Sequence, residues 1–214
     1  MIKKVVLWAC GLLLLCFVAS IVSVLNLRWI NPPSSAFMFW HKLTADTPIH
    51  YKWVPLSRIS PRLQIAVVAA EDQKFPIHFG FDFESIAETL EQQQRRGAST
   101  ITQQTAKNLF LWSGRSYPRK GIEAWFAVLM ELFLPKQRIL EIYLNIAEFG
   151  FGVYGAESAS RRFYGKSAAA LTSYEAALLA AVLPNPKRMS AARPSSYVRG
   201  RALEILEISD SLGG

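Results

Sequence analysis

A mainly α-helical protein is predicted, with one membrane-crossing helix at the N-terminus and a helical domain behind it. Three observations carry the prediction. Val5 to Leu27 contains no charged side chain, and as a helix it spans about 35 Å, enough for a hydrocarbon core of about 30 Å. From Ser60 onward, helix-start and helix-stop residues follow one another at helical spacing. Strand-like alternation is almost absent from that point on. The chain therefore divides into residues 1–29 as a membrane anchor, spanning at about 5–27, residues 30–59 as a linker and membrane-proximal segment, and residues 60–214 as the domain.

Lys3, Lys4 and the amino terminus precede the apolar run, and Arg28 and Trp29 follow it. That bias favours an inside N-terminus, with Trp29 at the far interface. A cleaved signal peptide is the alternative, but the run is long for an h-region and lacks a clean small-x-small cleavage site. Cys10 and Cys16 both lie inside the span, leaving the domain without a disulfide or a cysteine-based metal site. A lipobox reading of Leu7-Trp8-Ala9-Cys10 has too little apolar sequence before it. Asn31 to Ser35 is a Pro/Ser linker, and the apolar Phe37, Met38, Phe39 and Trp40 after it either rest on the bilayer or pack onto the domain. Ile49 to Val54 alternates as a short strand ended by Pro55.

Ser60 and Pro61 open the first domain helix, an N-cap hydroxyl followed by a proline whose missing N–H costs nothing in the first turn. Its body, Leu63 to Ala70, is almost uniformly apolar and should be buried. Asp82 can cap a second helix with Phe83, Ile86, Ala87 and Leu90 on its apolar face, closed by Gly97. Thr100 and Gln103 form a capping box for a third, ending near Phe110. Pro118 begins a helix that stays apolar through Ala124 to Leu134 and stops at Pro135, and Gln137 to Ala147 makes an amphipathic one. Val153 to Phe163, Thr172 to Leu183 with a Thr172/Glu175 capping box, and Ser196 to Ser209 complete the set.

An apolar content of 51% with only 19% charged residues is high for a freely soluble protein, and the anchor accounts for the excess. Of the cations behind the net charge of +8, only Lys3 and Lys4 precede the span. A basic domain tethered to a membrane meets anionic head groups or a phosphate-bearing ligand. Nucleic acid is not expected, because no recognition motif is present and the domain lies outside the cytoplasm.

The stretch Val67 to Gly80 concentrates the candidate chemistry. The buried helix delivers Glu71 and Asp72 at its C-terminal end, where the macrodipole disfavours a carboxylate. Burial and the dipole both raise a carboxyl pKa, which prepares Glu71 to exchange a proton near neutrality. A solvated acid, or one paired with Lys74, is the alternative. His78 is a base or a structural hydrogen-bonder. Gly97-Ala98-Ser99-Thr100 opens a helix whose free N–H groups can face an anion, or is simply a turn and cap. Gln103, Gln104 and Lys107 share a face of that helix, with Asn108 beside them. Arg115, Arg119 and Lys120 lie before and within the first turns of the following helix, where cations are unfavourable unless an anion is near. Glu123 can pair with them, while its position at the head of an apolar run also fits an active-site acid. Glu131, with apolar residues on both sides, is the structural acid.

These residues fall into ordered motifs: Glu71-Asp72-x-x-Phe75-x-x-His78-x-Gly80, then Gly97-x-Ser99-Thr100-Ile101-Thr102-Gln103-Gln104-x-x-Lys107-Asn108, then Arg119-Lys120-x-x-Glu123. Ile139-Leu140-Glu141-x-Tyr143-Leu144-Asn145 and Gly152-Val153-Tyr154-Gly155-Ala156 come next. The sequence closely resembles glycosyltransferase family 51, the peptidoglycan glycosyltransferases, from about Ile65 to Lys187, in the monofunctional form without a transpeptidase domain.

The resemblance implies a lysozyme-like helical fold that polymerises lipid II outside the cytoplasmic membrane. Glu71 then matches the base that deprotonates the acceptor 4-hydroxyl, and Glu123 the family's second acid on the donor side. Lys107, Arg115 and Arg119, joined by Lys120, match the pyrophosphate-binding region; Ser99, Gln103, Gln104 and Asn108 match cleft positions, and Asp72 and His78, in the same motif as the base, are expected among the substrate-binding residues. Thr105 stands where many members carry leucine. No cofactor is required, although a divalent cation, Mg or Mn, is compatible with a pyrophosphate. The implied partners are lipid II, the growing glycan strand, membrane lipid and other cell-wall synthesis proteins, at the cytoplasmic (inner) membrane with the domain on the periplasmic side. The rival is a lysozyme-like lytic transglycosylase or hydrolase that cuts finished glycan, which leaves Lys107, Arg115 and Arg119 without a purpose. A catalytically dead membrane scaffold is the non-enzymatic alternative.

Overall fold

The computed structural model describes residues 1–84, 87, 99–114 and 116–213. The expected helix from Asp82 to Gly97 lies largely outside the described residues, as do Gly97, Ala98 and Arg115. In chain order the elements are α1 (Ile2–Asn26), α2 (Ala36–Thr44), β1 (His50–Tyr51), a 3-10 turn at Leu56–Arg58, α3 (Pro61–Glu71), α4 (Ile101–Phe110), α5 (Tyr117–Phe133) and α6 (Lys136–Ile146). There follow β2 (Glu148–Gly150), β3 (Val153–Tyr154), α7 (Ala156–Tyr164), a second 3-10 turn at Ala168–Ala170, α8 (Ser173–Val182) and α9 (Ser196–Gly213).

The α1 helix is long and apolar enough to cross a membrane, with a mean hydropathy of 2.8. Its last third does not stand clear of the domain. Phe17 lies 5.2 Å from Trp125 of α5 between ring centroids, Trp125 Nε1 donates to Ser20 Oγ at 3.1 Å, and Val24 and Leu27 are buried. Arg138 of α6 donates to the carbonyls of Leu27 and Ile30 and to Asn31 Oδ1. Tyr51 adds a bond from its hydroxyl to the Pro32 carbonyl at 3.0 Å. The linker is thus fastened down residue by residue.

The aromatic stretch after the linker forms α2, a helix that the sequence reading did not anticipate. Ser35 caps it, its Oγ accepting from Met38 N. Met38 is buried and Phe37 packs on the core, as the packing alternative expected, while Phe39 and Trp40 are exposed.

Two layers hold the site. In one, α3 packs against both α8 and α9. Every residue of α8 from Ala176 to Val182 is buried, as its all-apolar sequence requires, and its Thr172/Glu175 capping box forms. In the other, α4 packs against α5 and α6. The Thr100/Gln103 capping box forms with both of its bonds, so α4 starts where its sequence says it should. Ser60 departs from expectation. It occupies the N-cap position of α3 without a capping bond; its backbone N–H donates to Ala168 O and its Oγ to Leu171 O, tying α3 to the segment before α8. The last helix runs beyond Ser209 to Gly213. Phe83 is 74% exposed rather than facing a core, and stacks on Phe81.

Strand content exceeds the expectation. Three short strands form one sheet in the order β1-β3-β2, with β1 and β3 parallel in the register His50 to Val153 and Tyr51 to Tyr154, and β2 antiparallel to β3. The Ile49 to Val54 strand shrinks to His50–Tyr51, and the expected helix from Val153 begins only at Ala156. Gly155 explains the delay. Its φ is +84°, and a Cβ there would lie 2.6 Å from the Asn145 carbonyl oxygen. Only glycine fits so close to the end of α6, and the turn it makes ends β3 and starts α7.

Candidate active site

The two acids at the end of α3 have separate surroundings. Asp72 is the C-cap residue, and its extended backbone turns the carboxylate away from the helix axis. Asp72 Oδ2 accepts from Ile101 N in the first turn of α4, and both carboxylate oxygens accept from His78 Nε2, all at 2.9 Å. A carboxylate at a helix N-terminus is well placed, so Asp72 fixes the end of α3 against the start of α4. Burial pushes its carboxyl up, against the opposing pull of Ile101 N, His78 and Lys136. Thr100 completes the corner by donating through Oγ1 to Gly80 O at 2.7 Å. His78 therefore serves as a hydrogen-bonder to Asp72.

Glu71 is held differently. Its Oε2 accepts from Gln104 Nε2 at 2.7 Å, and the same nitrogen lies 3.3 Å from Ser99 O. Gln104 Oε1 in turn accepts from the Tyr143 hydroxyl of α6 at 3.1 Å. Burial raises the Glu71 carboxyl above its ordinary value and Asp72 adds to the rise, while Gln104, Arg201 and Lys107 pull the other way. The alternative of a pairing with Lys74 is not the arrangement found, since Lys74 pairs with Glu84.

The cations converge one helix away. Arg119 Nη1 donates to Glu123 Oε2 at 2.8 Å, and Lys120 Nζ contacts the other carboxylate oxygen. Lys120 Nζ also reaches Ser99 Oγ at 3.4 Å. Burial lowers the Lys107 pKa, and Arg119 and Lys120 push in the same direction; Glu123 and Glu71 oppose them. Lys107 thus feels both acids at once. Arg119 is buried, yet its Nε has no hydrogen-bond partner among the described residues. From Glu71 a continuous series of polar contacts runs through Gln104, Ser99 and Lys120 to Glu123.

Most of the residues singled out in the sequence therefore meet across α3, α4 and α5. Lys107, Asn108, Gln104 and Ser99 are half-buried, which removes the solvated-face alternative for α4. Gln103 is buried and its Oε1 accepts from Thr100 N, so it builds the cap. Thr105, at the position where leucine was the common residue, is fully buried and returns its hydroxyl to Ile101 O at 2.7 Å. Glu131 accepts from Thr102 Oγ1 at 2.6 Å and from Lys136 Nζ at 2.8 Å, a structural role as expected. Phe110 stacks on Phe126 and Leu111 is buried, leaving Trp112 as the exposed member of that trio.

Two participants were missed. Tyr143 sits in a motif, but at core spacing on an amphipathic helix it reads as packing. Arg201 reaches the site from α9, donating to Ala70 O at 3.3 Å, and no local signal marks a cation so distant in sequence. No group of three or more His, Cys, Asp or Glu side chains among the described residues could hold a metal ion. Both Glu123 oxygens are already engaged by cations, so this set does not fit a metal. A separate cavity lined by His50, Tyr51, Lys52, Ser158, Arg161 and Arg162 contains none of the site residues.

A raised carboxyl at a helix end, a cluster of cations around the buried Arg119 and an N-terminal helix apolar enough to cross a membrane together fit a helical enzyme with a single-pass membrane segment. Residues 41–209 match the transglycosylase family, and the chain belongs to it, as a peptidoglycan glycosyltransferase. The chain is 53% identical to a biosynthetic peptidoglycan transglycosylase of Shewanella oneidensis, over 99% of this chain and 94% of that protein. It is 51% identical to one of Xanthomonas campestris pv. campestris, covering 97% and 88%. A Pseudomonas fluorescens protein of the same name is 52% identical, covering 92% and 86%.

Proposed function

We propose that the enzyme polymerises lipid II into β-(1→4) glycan by an inverting displacement, with Glu71 as general base and the Lys107, Arg119 and Lys120 cluster receiving the pyrophosphate. The observation that carries this reading is the polar series from Glu71 to the Arg119–Glu123 pair, which holds a proton acceptor and an anion site on one wall. The acceptor 4-hydroxyl oxygen forms its bond to the donor anomeric carbon as the bond from that carbon to the phosphate oxygen breaks. Glu71 takes the hydroxyl proton, and the pyrophosphate leaves with the electron pair. Burial raises the Glu71 carboxyl above its ordinary value, which makes it a stronger proton acceptor once ionised.

Charge accumulates on the departing group, and fixed cations in a poorly hydrated site stabilise it without reorganising. Arg119 is suited to this through its unpartnered Nε. Glu123 keeps Arg119 and Lys120 oriented. Arg115, which lies outside the described residues, belongs to the same anion site in this reading. Ser99 and Asn108 line the cleft between donor and acceptor. We place the enzyme in the cytoplasmic membrane, N-terminus inside, with the domain of residues 60–214 on the periplasmic side where the donor's lipid tail lies in the same bilayer.

Incubating the full-length protein in detergent with labelled lipid II tests the reading. Polymer without new reducing ends is the expected product. Inert lipid II together with cleavage of preformed glycan would replace it with a lytic activity.

A further inference from the structure

We propose that Tyr143 is a positioning residue for Glu71, acting through the amide of Gln104. The inference rests on the assignment of Glu71 as general base and adds what orients it. Tyr143 is 1% exposed, and its hydroxyl lies 3.1 Å from Gln104 Oε1, while Gln104 Nε2 lies 2.7 Å from Glu71 Oε2.

An amide side chain presents an acceptor on one side and donors on the other, and rotation by half a turn exchanges them. A phenol is a stronger donor than acceptor, so one placed next to the amide oxygen biases that choice toward the orientation found. Tyr143 stays a proton donor throughout the working range, because burial pushes its hydroxyl well above the ordinary tyrosine value. With Gln104 Oε1 taking the phenol proton and Nε2 held at 3.3 Å from the Ser99 carbonyl, the NH2 group faces Glu71. It donates to Oε2, favours the ionised carboxylate and leaves Oε1 as the oxygen free to receive a proton.

Charged groups act on Glu71 from the neighbouring elements: Arg201 on α9, Lys107 on α4 and Asp72 beside it. None of these charges holds the amide oxygen; the Ser99 carbonyl supports the NH2 end, and among the described residues Tyr143 alone donates to the oxygen. Without the phenol, Gln104 can turn its oxygen toward Glu71, a contact that is tolerable only when the carboxyl is protonated. The base would then require a higher pH to ionise.

The test is the pH dependence of lipid II polymerisation in four full-length proteins: parent, Tyr143→Phe, Gln104→Leu and the double variant. In Tyr143→Phe the acid limb of kcat/KM should move to higher pH, with activity recovering as the pH is raised. In Gln104→Leu the limb also moves, and adding Tyr143→Phe moves it no further, because the intermediary is gone. An unmoved limb in Tyr143→Phe, or an equal further shift in both backgrounds, overturns the proposal. If Tyr143→Phe folds poorly, a tyrosine analogue with a more acidic phenol at position 143 replaces it, and a limb that it leaves unmoved, or a further shift within the Gln104→Leu pair, overturns the proposal. Glu71→Gln serves as the control for the underlying assignment. Full activity there removes the general base itself, whereas lost activity with an unmoved limb in Tyr143→Phe removes only the positioning role.

Discussion

Arg119 and Glu123, one turn apart on α5, form an ion pair of 2.8 Å whose carboxylate is only 2% exposed. A buried pair at i and i+4 has a large desolvation cost, and removing Arg119 leaves the buried Glu123 paired, among the described residues, only with the half-exposed Lys120. Arg119→Ala should therefore destabilise the protein by about 3 kcal/mol and weaken donor binding. Lys107→Ala should raise KM for lipid II without comparable loss of stability, since no carboxylate depends on it for a hydrogen bond. Denaturation curves and steady-state kinetics separate the two; unchanged lipid II kinetics in both variants would remove the pyrophosphate assignment.

Glu71→Gln should abolish polymerisation by orders of magnitude and leave the fold intact or more stable. The folded protein raises the Glu71 carboxyl, so the native state retains this proton to a higher pH than the unfolded chain, whose carboxyl titrates near about 4.3. Stability contributed by the protonated form is consequently lost as the pH rises through the folded value. Parent and variant should denature alike below about pH 4, and the variant should gain on the parent above it. A parent more stable than the variant at pH 8 contradicts this account.

Glu157 has the opposite sign. Burial pushes its carboxyl up, but Ala168 N, the Arg161 guanidinium and Lys52 outweigh burial and hold it below its ordinary value. Its stabilisation is present above the unfolded pKa of about 4.3 and disappears as the pH falls through the lower folded value. Glu157→Gln should lower the melting temperature at neutral pH and make it less sensitive to acid, as a thermal series from neutral to acid pH will show.

Asp72 serves the fold. Asp72→Ala leaves Ile101 N and His78 Nε2 without the acceptor they share, and one orphaned buried donor costs about 1–3 kcal/mol. The variant should lose stability and let the start of α4 move relative to α3. Hydrogen exchange at Ile101 reads the second effect directly, and unaltered protection there would deny Asp72 its role as the tie.

The helices were legible where short-range chemistry decides them. Capping boxes at Thr100/Gln103 and Thr172/Glu175, and the stops at Pro135 and Pro184, need only neighbours in sequence. Gly155 was misread because its requirement is the closeness of Asn145, a tertiary fact. The same division runs through the site. Glu71, Lys107, Arg119 and Glu123 announce themselves by charges placed where local rules disfavour them. Tyr143 and Arg201 obey every local rule, and only the packing of α6 and α9 against α4 and α3 gives them a second use.

The contact of Trp125 with Phe17 and Ser20 bears on how the enzyme meets its surroundings. Because α5 carries both that contact and the Arg119–Glu123 pair, turning the N-terminal rod about its own axis swings the anion site with it. The heading of the proposed anion site relative to the N-terminal helix is then a property of the folded chain itself, and in the proposed membrane setting a lipid carrier drifting sideways would meet it in one fixed presentation.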